Sequence, residues 1–207
     1  PPPPTAPPLS PLYQLHLPYP GDDFSLRVTR KPHPGSGQGG TGGSGGGGGS
    51  GLGGGGDESL LDLSGGGCLV VKPQFLQLRS AVAPEVDLYG MGESTPAEGL
   101  RLRRDGVPRA LWNSDTPAAA TGVNLYGSHP LLYGLAPGGT SFGWFLAASN
   151  AMDVVPGVRD VAFRLTGGTL ELFLFAGPAP EDVTVQYTQL VGPPAMPPRW
   201  ALGFHQS

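Results

Sequence analysis

Alternation of apolar and polar residues is the first pattern that this chain shows, and it predicts β-strands. In the segment 24–29, apolar Phe24, Leu26 and Val28 are separated by polar residues, which is the pattern of a half-buried strand. Further strand-like segments are separated by turns rich in glycine and proline: 69–71, 75–78, 124–126, 131–135, 142–147, 161–165 and 169–175. Short strands at this spacing, with few helices, predict an all-β sandwich.

Two segments near the C-terminus depart from this alternation. Residues 170–175 carry apolar side chains on both faces, which predicts a central strand packed on two sides. Residues 181–191 instead predict a helix, because they begin with an acidic turn and stop at a Gly-Pro-Pro sequence. Its apolar face consists of Val183, Tyr187, Leu190 and Val191. After the helix, Trp200–Phe204 predicts a short apolar strand.

Two segments near the N-terminus have the composition of unpacked chain. Residues 1–11 are rich in proline, which predicts an extended, solvated segment. Residues 35–56 contain 16 glycines in 22 positions. Such a segment has no side chains to bury and cannot offset the entropy lost on ordering. We therefore expect a flexible insert that joins two strands.

The composition of the whole chain argues against several classes of partner and site. The 207 residues carry a net charge of -4 and no basic stripe, which argues against nucleic acid as a partner. No apolar run approaches the roughly 18 residues of a membrane span. Cys68 is the only cysteine, so an internal disulfide and a cysteine-based zinc site are excluded, and a buried apolar role is favoured over a reactive thiol. We expect no metal and no cofactor. Because the chain begins at Pro1 without a methionine, we expect it to be a piece of a longer protein.

The most informative segment is Trp112–Pro117, which is followed closely by Asn124–Pro130. The first places one carboxylate, Asp115, in a predicted loop, and the second leads into an apolar strand. Polar and aromatic groups together are the chemistry that a sugar ring needs. From the residues alone, an Asx-turn role before Thr116 and Pro117 is favoured for Asp115 over a sugar contact.

Together with several other segments, in their order and spacing, these motifs resemble glycoside hydrolase family 31. The chain is most similar to the acid α-glucosidase and maltase-glucoamylase branch of that family. The other segments that carry the resemblance are 24–30, 74–78, 89–93, 149–155 and 196–206. The resemblance covers most of residues 12–207 apart from the glycine-rich insert.

The resemblance implies a galactose-mutarotase-like β-sandwich that precedes a catalytic (β/α)₈ barrel. Residues 12–180 would form the sandwich, 181–195 a connector helix and linker, and 196–207 the start of the barrel, cut off within its first strand. The implied activity is hydrolysis of terminal α-linked glucose with retention, which needs two carboxylates. In the family both belong to the barrel, and their motifs do not occur here, so we expect no catalytic residue in this chain and no activity of the chain alone.

The resemblance also implies a substrate contact. In the family, the Asp of the Trp-Asn-x-Asp segment lies on a loop over the barrel mouth and accepts hydrogen bonds from sugar hydroxyls in the leaving-group subsite. Here that residue is Asp115. Trp112 is a candidate neighbour of the pocket, although a buried sandwich aromatic is the favoured alternative. His205 is a second candidate neighbour, because it would lie on the first barrel strand.

Other polar residues are expected to have structural roles. His129 is interpreted as a hydrogen-bonded structural histidine, and Arg101, Arg103 and Arg104 as a solvated basic loop face. The expected partners are an α-glucoside oligosaccharide and the barrel of the same polypeptide. Two other functions are kept open: a stand-alone carbohydrate-binding module and a purely structural sandwich. Related enzymes act in the secretory route, in lysosomes or vacuoles and outside the cell, and the sequence marks none of these compartments.

Overall fold

The computed structural model describes residues 13–16, 24–31, 57–97, 99–116 and 120–206. The predicted Pro-rich segment 1–11 and glycine-rich insert 35–56 lie outside these ranges. The elements, in chain order, are β1 Tyr13–His16, β2 Arg27–Arg30, β3 Glu58–Asp62, β4 Leu69–Lys72, β5 Phe75–Ala81, β6 Asp87–Gly90, β7 Arg109–Leu111, β8 Leu131–Leu135, β9 Ser141–Leu146, β10 Met152–Pro156, β11 Asp160–Leu165, β12 Leu172–Phe175 and the helix α1 Pro180–Val191. A short 3-10 helix follows at Arg199–Leu202.

The strands form three antiparallel sheets. The five-stranded sheet has the order β4-β5-β11-β10-β7, and the four-stranded sheet has the order β12-β9-β8-β6. The third sheet contains β1, β2 and β3. The predicted all-β galactose-mutarotase-like sandwich is confirmed, because most regular structure in the described residues is strand and only one α-helix accompanies it.

The core lies between the sheets and follows the alternation of their strands. In the five-stranded sheet, Phe163 pairs with Leu78 on one side and with Val154 on the other. In the four-stranded sheet, Leu132 pairs with Trp144. All five side chains are buried, and they belong to one hydrophobic cluster. Burial of large apolar side chains such as these contributes about 1.5–3 kcal/mol each, so this cluster is the main source of stability.

Strand β12 differs from its prediction in position. It is an edge strand of the four-stranded sheet, so the prediction of a central strand was wrong. Its two faces are nevertheless both packed. Leu172 and Leu174 pack against the core, whereas Phe175 contacts Tyr187 of α1 with 5.9 Å between ring centroids. Helix α1 covers the outer face of the sheet, and this covering explains why β12 is apolar on both sides.

The three-stranded sheet is joined to the sandwich by polar contacts. The indole Nε1 of Trp144 donates a hydrogen bond to the carbonyl oxygen of Leu60, at 2.8 Å. The guanidinium of Arg30 lies 2.6 Å from the Glu58 carboxylate and donates to the carbonyl oxygens of Ser141 and Ala176. Arg30 is only 7% exposed. The buried ion pair therefore connects β2 and β3 to one end of the β9–β12 pair, where β9 begins and β12 ends.

The basic cluster at 101–104 differs from its prediction. Arg104 is not a solvated residue: its guanidinium donates to the carbonyl oxygens of Val82, Ala83, Val86 and Gly157. Burial lowers the pKa of Arg104, although an arginine stays protonated at any ordinary pH. Arg104 therefore holds together the turn at 82–86 and the turn at Gly157, which are distant in sequence.

The C-terminal segment also differs from its prediction. Arg199–Leu202 is a 3-10 helix instead of part of a strand at 200–204. A strand needs a neighbour for its backbone N–H and C=O groups, and no segment that the structure describes pairs with this one. Local 3-10 hydrogen bonds, such as Ala201 N–H to the Pro198 carbonyl, satisfy some of these groups, and the rest are exposed to water.

Candidate functional site

The Trp112–Thr116 loop is anchored at its base. It leaves β7 directly after Leu111, which pairs with Met152 of β10. The Ser114 backbone N–H donates to the Leu125 carbonyl at 2.7 Å, and the Ser128 hydroxyl donates to the Asn113 side-chain carbonyl. The two motifs of the sequence analysis thus pack against each other, and the start of the loop is held in one position.

Asp115 lies at the tip of this loop and is exposed. The local turn is closed by its neighbours: the Thr116 N–H donates to the Ser114 carbonyl at 3.0 Å, and the two hydroxyls lie 2.9 Å apart. No other residue that the structure describes forms a hydrogen bond or an ion pair with the Asp115 carboxylate. The Asx-turn alternative therefore lacks its hydrogen bond among the described residues.

The segment that supports the loop is itself braced by Glu93. The Glu93 N–H donates to the Gly127 carbonyl at 3.0 Å, and the Glu93 carboxylate accepts from the Gly127 N–H at 3.1 Å. His129 Nε2 lies 3.5 Å from the same carboxylate, in agreement with a structural role for His129. A Cβ at position 127 would come within 2.7 Å of Glu93 Oε1, so any other residue there would have to displace the Glu93 carboxylate.

Trp112 is 63% exposed, so the favoured prediction of a buried sandwich aromatic was wrong. The reason is its place at the end of a short edge strand. Leu111 packs against the core, and successive strand residues point to opposite faces, which directs Trp112 away from the core.

Two open clefts meet at Trp112. The first has a volume of about 470 Å³. It is lined by Leu111, Trp112, Asn113, Ser128, Pro130, Ala148, Ser149, Asn150, Ala151 and Met152. The second, of about 640 Å³, is lined on the other side of the loop by residues that include Arg109, Ser114, Thr116 and Asn124. Neither cleft is lined by Asp115 or His205.

His205 lies in the C-terminal segment, apart from the loop. Its Nε2 is 3.0 Å from the Ala201 carbonyl oxygen, and its ring contacts Trp200 with 6.3 Å between centroids. The structure therefore brings Trp112 together with the 124–130 and 149–152 segments, but it does not bring His205 to them.

Ser149 and Asn150 are cleft residues that sequence reasoning did not assign to a site. In the sequence analysis they appear only within the segment 149–155 that carries the family resemblance. Their position follows from β10, which begins at Met152 and pairs with both β7 and β11. This central pairing places the residues before Met152 beside Trp112. A polar Ser-Asn pair directly before an apolar strand was the available signal.

The described residues contain no group of three or more His, Cys, Asp or Glu side chains that could hold a metal ion. None of their helices is long and apolar enough to cross a membrane. Cys68 is buried, as predicted, and its Sγ lies 3.5 Å from the Phe24 carbonyl oxygen.

Comparison with known sequences matches residues 71–154 to the glycosyl hydrolase 31 N-terminal galactose mutarotase-like domain. An alpha-glucosidase of Hordeum vulgare is 43% identical over 150 residues, which cover 72% of this chain and 17% of that protein. Lysosomal alpha-glucosidase of Mus musculus is 46% identical over 133 residues, or 64% of this chain and 14% of that protein. The chain thus spans less than a fifth of the length of these curated relatives.

Two solved structures have a similar fold. A family 31 alpha-glucosidase from Bacteroides thetaiotaomicron superposes with a TM-score of 0.52 and 30% identity, over 59% of this chain and 21% of that one. A GH31 dextranase from Flavobacterium johnsoniae, complexed with glucose, gives a TM-score of 0.65 over 87% of this chain and 19% of that one. Its identity is 20%, so it supports the fold alone.

Proposed function

Because the chain belongs to glycosyl hydrolase family 31 and carries its N-terminal galactose-mutarotase-like region, we propose that it is the N-terminal domain of a retaining α-glucosidase. The whole protein would hydrolyse terminal α-linked glucose from maltose-type oligosaccharides. The domain would brace a catalytic barrel and contribute one wall of the substrate pocket. In this proposal, residues 12–180 form the sandwich, 181–195 the connector, and 196–207 the start of the barrel.

Retention requires two carboxylates roughly 5 Å apart, one to attack the anomeric carbon and one to protonate the leaving oxygen. We assign both to the barrel and neither to this chain. The chain alone would then be inactive, and its part in the reaction would be to orient the substrate.

One observation carries this role: Asp115 is an exposed carboxylate at the tip of a loop whose base is held by hydrogen bonds. An ionised carboxylate only accepts hydrogen bonds, and it can hold two hydroxyl groups at once. Bonds of this charge-assisted kind are the stronger ones. Among the described residues, the hydrogen bonds at the loop base do not use the Asp115 carboxylate, so we assign both of its oxygens to the sugar in the leaving-group subsite.

The first test is Asp115→Ala in the longer protein that includes the proposed barrel. We expect kcat/KM for maltose to fall about 10- to 100-fold, since hydrogen bonds to a charged group contribute about 1.5–3 kcal/mol. An aryl α-glucoside has no sugar in the leaving group, so its hydrolysis should change little. Glu171→Ala, at another exposed carboxylate, is the matched control. Equal losses on both substrates, or none on maltose, would contradict the role of Asp115.

An exposed apolar segment supports the contact with a barrel. Met196, Trp200, Leu202 and Phe204 are 89%, 74%, 71% and 90% exposed. Clusters of exposed apolar residues mark surfaces that are covered by another structure.

We therefore expect the isolated chain to enhance the fluorescence of an apolar dye, and removal of residues 196–207 to abolish most of the signal. Leu100→Ser is the control, because Leu100 is an exposed apolar residue on a different segment, with 80% exposure. A chain that is monomeric and does not bind the dye would argue against a covering barrel.

The second candidate function is a stand-alone carbohydrate-binding module, which the exposure of Trp112 beside a cleft favours. Calorimetric titration of the isolated chain with maltose separates the two. If the domain is one wall of an α-glucosidase pocket, Asp115 binds sugar only together with the barrel. Asp115→Ala should then leave any maltose binding by the isolated chain unchanged. Millimolar or tighter binding that is lost in Asp115→Ala would favour the module.

A further inference from the structure

We propose that the smaller cleft beside Trp112 is a second sugar subsite, which binds one ring of an α-glucan chain with Trp112 as its aromatic platform. The choice of glucan rests on the proposed function, whereas the choice of a neutral sugar rests on the cleft itself. Its volume of about 470 Å³ falls within the roughly 300–1,000 Å³ that is typical of small-molecule sites.

The charge of the cleft selects the ligand class. None of the ten residues that line it is charged. A phosphate or carboxylate ligand would need cationic partners, and those occur instead in the larger cleft, which is lined by Arg103 and Arg109. A neutral, hydroxyl-rich ligand needs no counter-charge, so a sugar fits the smaller cleft better than an anion does.

Trp112 supplies the apolar contact, and its backbone is held on both sides. Leu111 before it is paired with Met152 in the sheet, and Asn113 after it accepts a hydrogen bond from the Ser128 hydroxyl. Aromatic side chains give a large contact area for few rotatable bonds. Because both neighbours of Trp112 are held, its backbone loses little conformational entropy when a ligand binds, which favours binding.

The polar groups of the cleft match the mixed donor and acceptor character of a sugar. The Asn113 side-chain carbonyl is used by Ser128, which leaves the two N–H donors of its amide for a ligand. Asn150 adds a second amide and Ser149 a hydroxyl. Gly168 leaves room for the Asn150 side chain, because a Cβ at position 168 would clash with the Asn150 Oδ1 atom.

The position of the cleft relates it to Asp115. Trp112 and Asp115 are three residues apart, and three residues span at most about 11 Å of extended chain. One oligosaccharide can therefore reach both, with one ring at Asp115 and a ring further along its chain at Trp112. Such a second contact would favour longer glucans over maltose.

The test uses the 207-residue chain and saturation-transfer NMR with maltoheptaose as the probe. We expect weak binding that falls about tenfold in Trp112→Ala, because an aromatic contact of this kind is worth about that factor. Trp200→Ala removes another exposed tryptophan, which lies outside the cleft, and binding should stay within twofold of the unsubstituted chain. Asn150→Ala should also weaken binding, and it serves as the second variant if Trp112→Ala does not fold. Absence of binding, or equal losses for Trp112→Ala and Trp200→Ala, would overturn the proposal.

A kinetic measurement in the longer protein separates this subsite from the proposed function. Trp112→Ala should raise KM for maltoheptaose several-fold more than it changes KM for maltose, because only the longer chain reaches this subsite. If the protein hydrolyses maltose but Trp112→Ala has no effect on maltoheptaose, the subsite is wrong and the proposed function stands. If no hydrolysis occurs but the isolated chain binds maltoheptaose through Trp112, the subsite stands and the α-glucosidase proposal is wrong.

Discussion

Replacement of Arg30 by alanine is expected to lower the free energy of unfolding by about 3–5 kcal/mol, measured by urea denaturation. The Arg30 side chain is 9% exposed and that of Glu58 is 19% exposed. Loss of the guanidinium leaves the Glu58 carboxylate with the Thr140 hydroxyl, at 3.0 Å, as its remaining side-chain partner among the described residues. It also leaves the Ser141 and Ala176 carbonyl oxygens without the donor that joins them to β2.

Two further variants test whether the loss of stability in Arg30→Ala comes from the unpaired Glu58 carboxylate. Arg27→Ala removes a similar ion pair, at 2.9 Å from Asp62, whose arginine side chain is 48% exposed. Because exposed pairs contribute only about 0–1 kcal/mol, this control should be close to neutral. The double variant Arg30→Met with Glu58→Leu should recover part of the stability, because neither charge is then buried alone. If Arg27→Ala and Arg30→Ala had equally small effects, the buried Arg30–Glu58 ion pair would not be a major source of stability.

Arg104→Lys is expected to lower the free energy of unfolding by about 2–4 kcal/mol, although the charge is kept. The planar guanidinium has five N–H donors in a fixed fork, and it reaches four carbonyl oxygens on two separate turns. A lysine ammonium has three donors around one point and cannot bridge both turns. The measurement is again the urea unfolding midpoint at constant m-value.

Arg101→Lys is the control for this substitution. Its side chain is 65% exposed and contacts the Asp87 carboxylate, so lysine can replace it with little change, within about 0.5 kcal/mol. If Arg104→Lys were as mild as Arg101→Lys, the four carbonyl bonds would contribute nothing beyond a surface charge.

Strands with a strong local pattern were predictable from the sequence. The segment 131–135 matches β8 at both ends, and the helix was expected within one residue of α1. Strand β3 was not identified, because it follows the glycine-rich segment and its pairing with β2 is a contact between distant residues. Of the predicted strand 124–126, the structure has only a single bridge between Asn124 and Ser94. The segment instead forms hydrogen bonds to neighbouring loops, such as that from the Ser114 N–H to the Leu125 carbonyl.

The candidate site was predictable in its segments but not in its contacts. The sequence singled out Trp112, Asp115 and the 124–130 motif, and the structure packs the loop against that motif. The exposure of Trp112 and the four carbonyl bonds of Arg104 depend on where neighbouring strands end. These features depend on tertiary contacts, and the local spacing of apolar residues does not reveal them.

Residues Arg30 and Glu58 are direct cross-strand partners in the β2–β3 pair, so the polypeptide leaves the sheet and returns to it at one point. Closing a chain between two adjacent ends becomes only about 0.6 kcal/mol less favourable for each doubling of its length. Evolution could therefore lengthen or shorten this connection at small cost to folding. For the same reason, it is a suitable position for inserting a reporter domain without altering the sandwich.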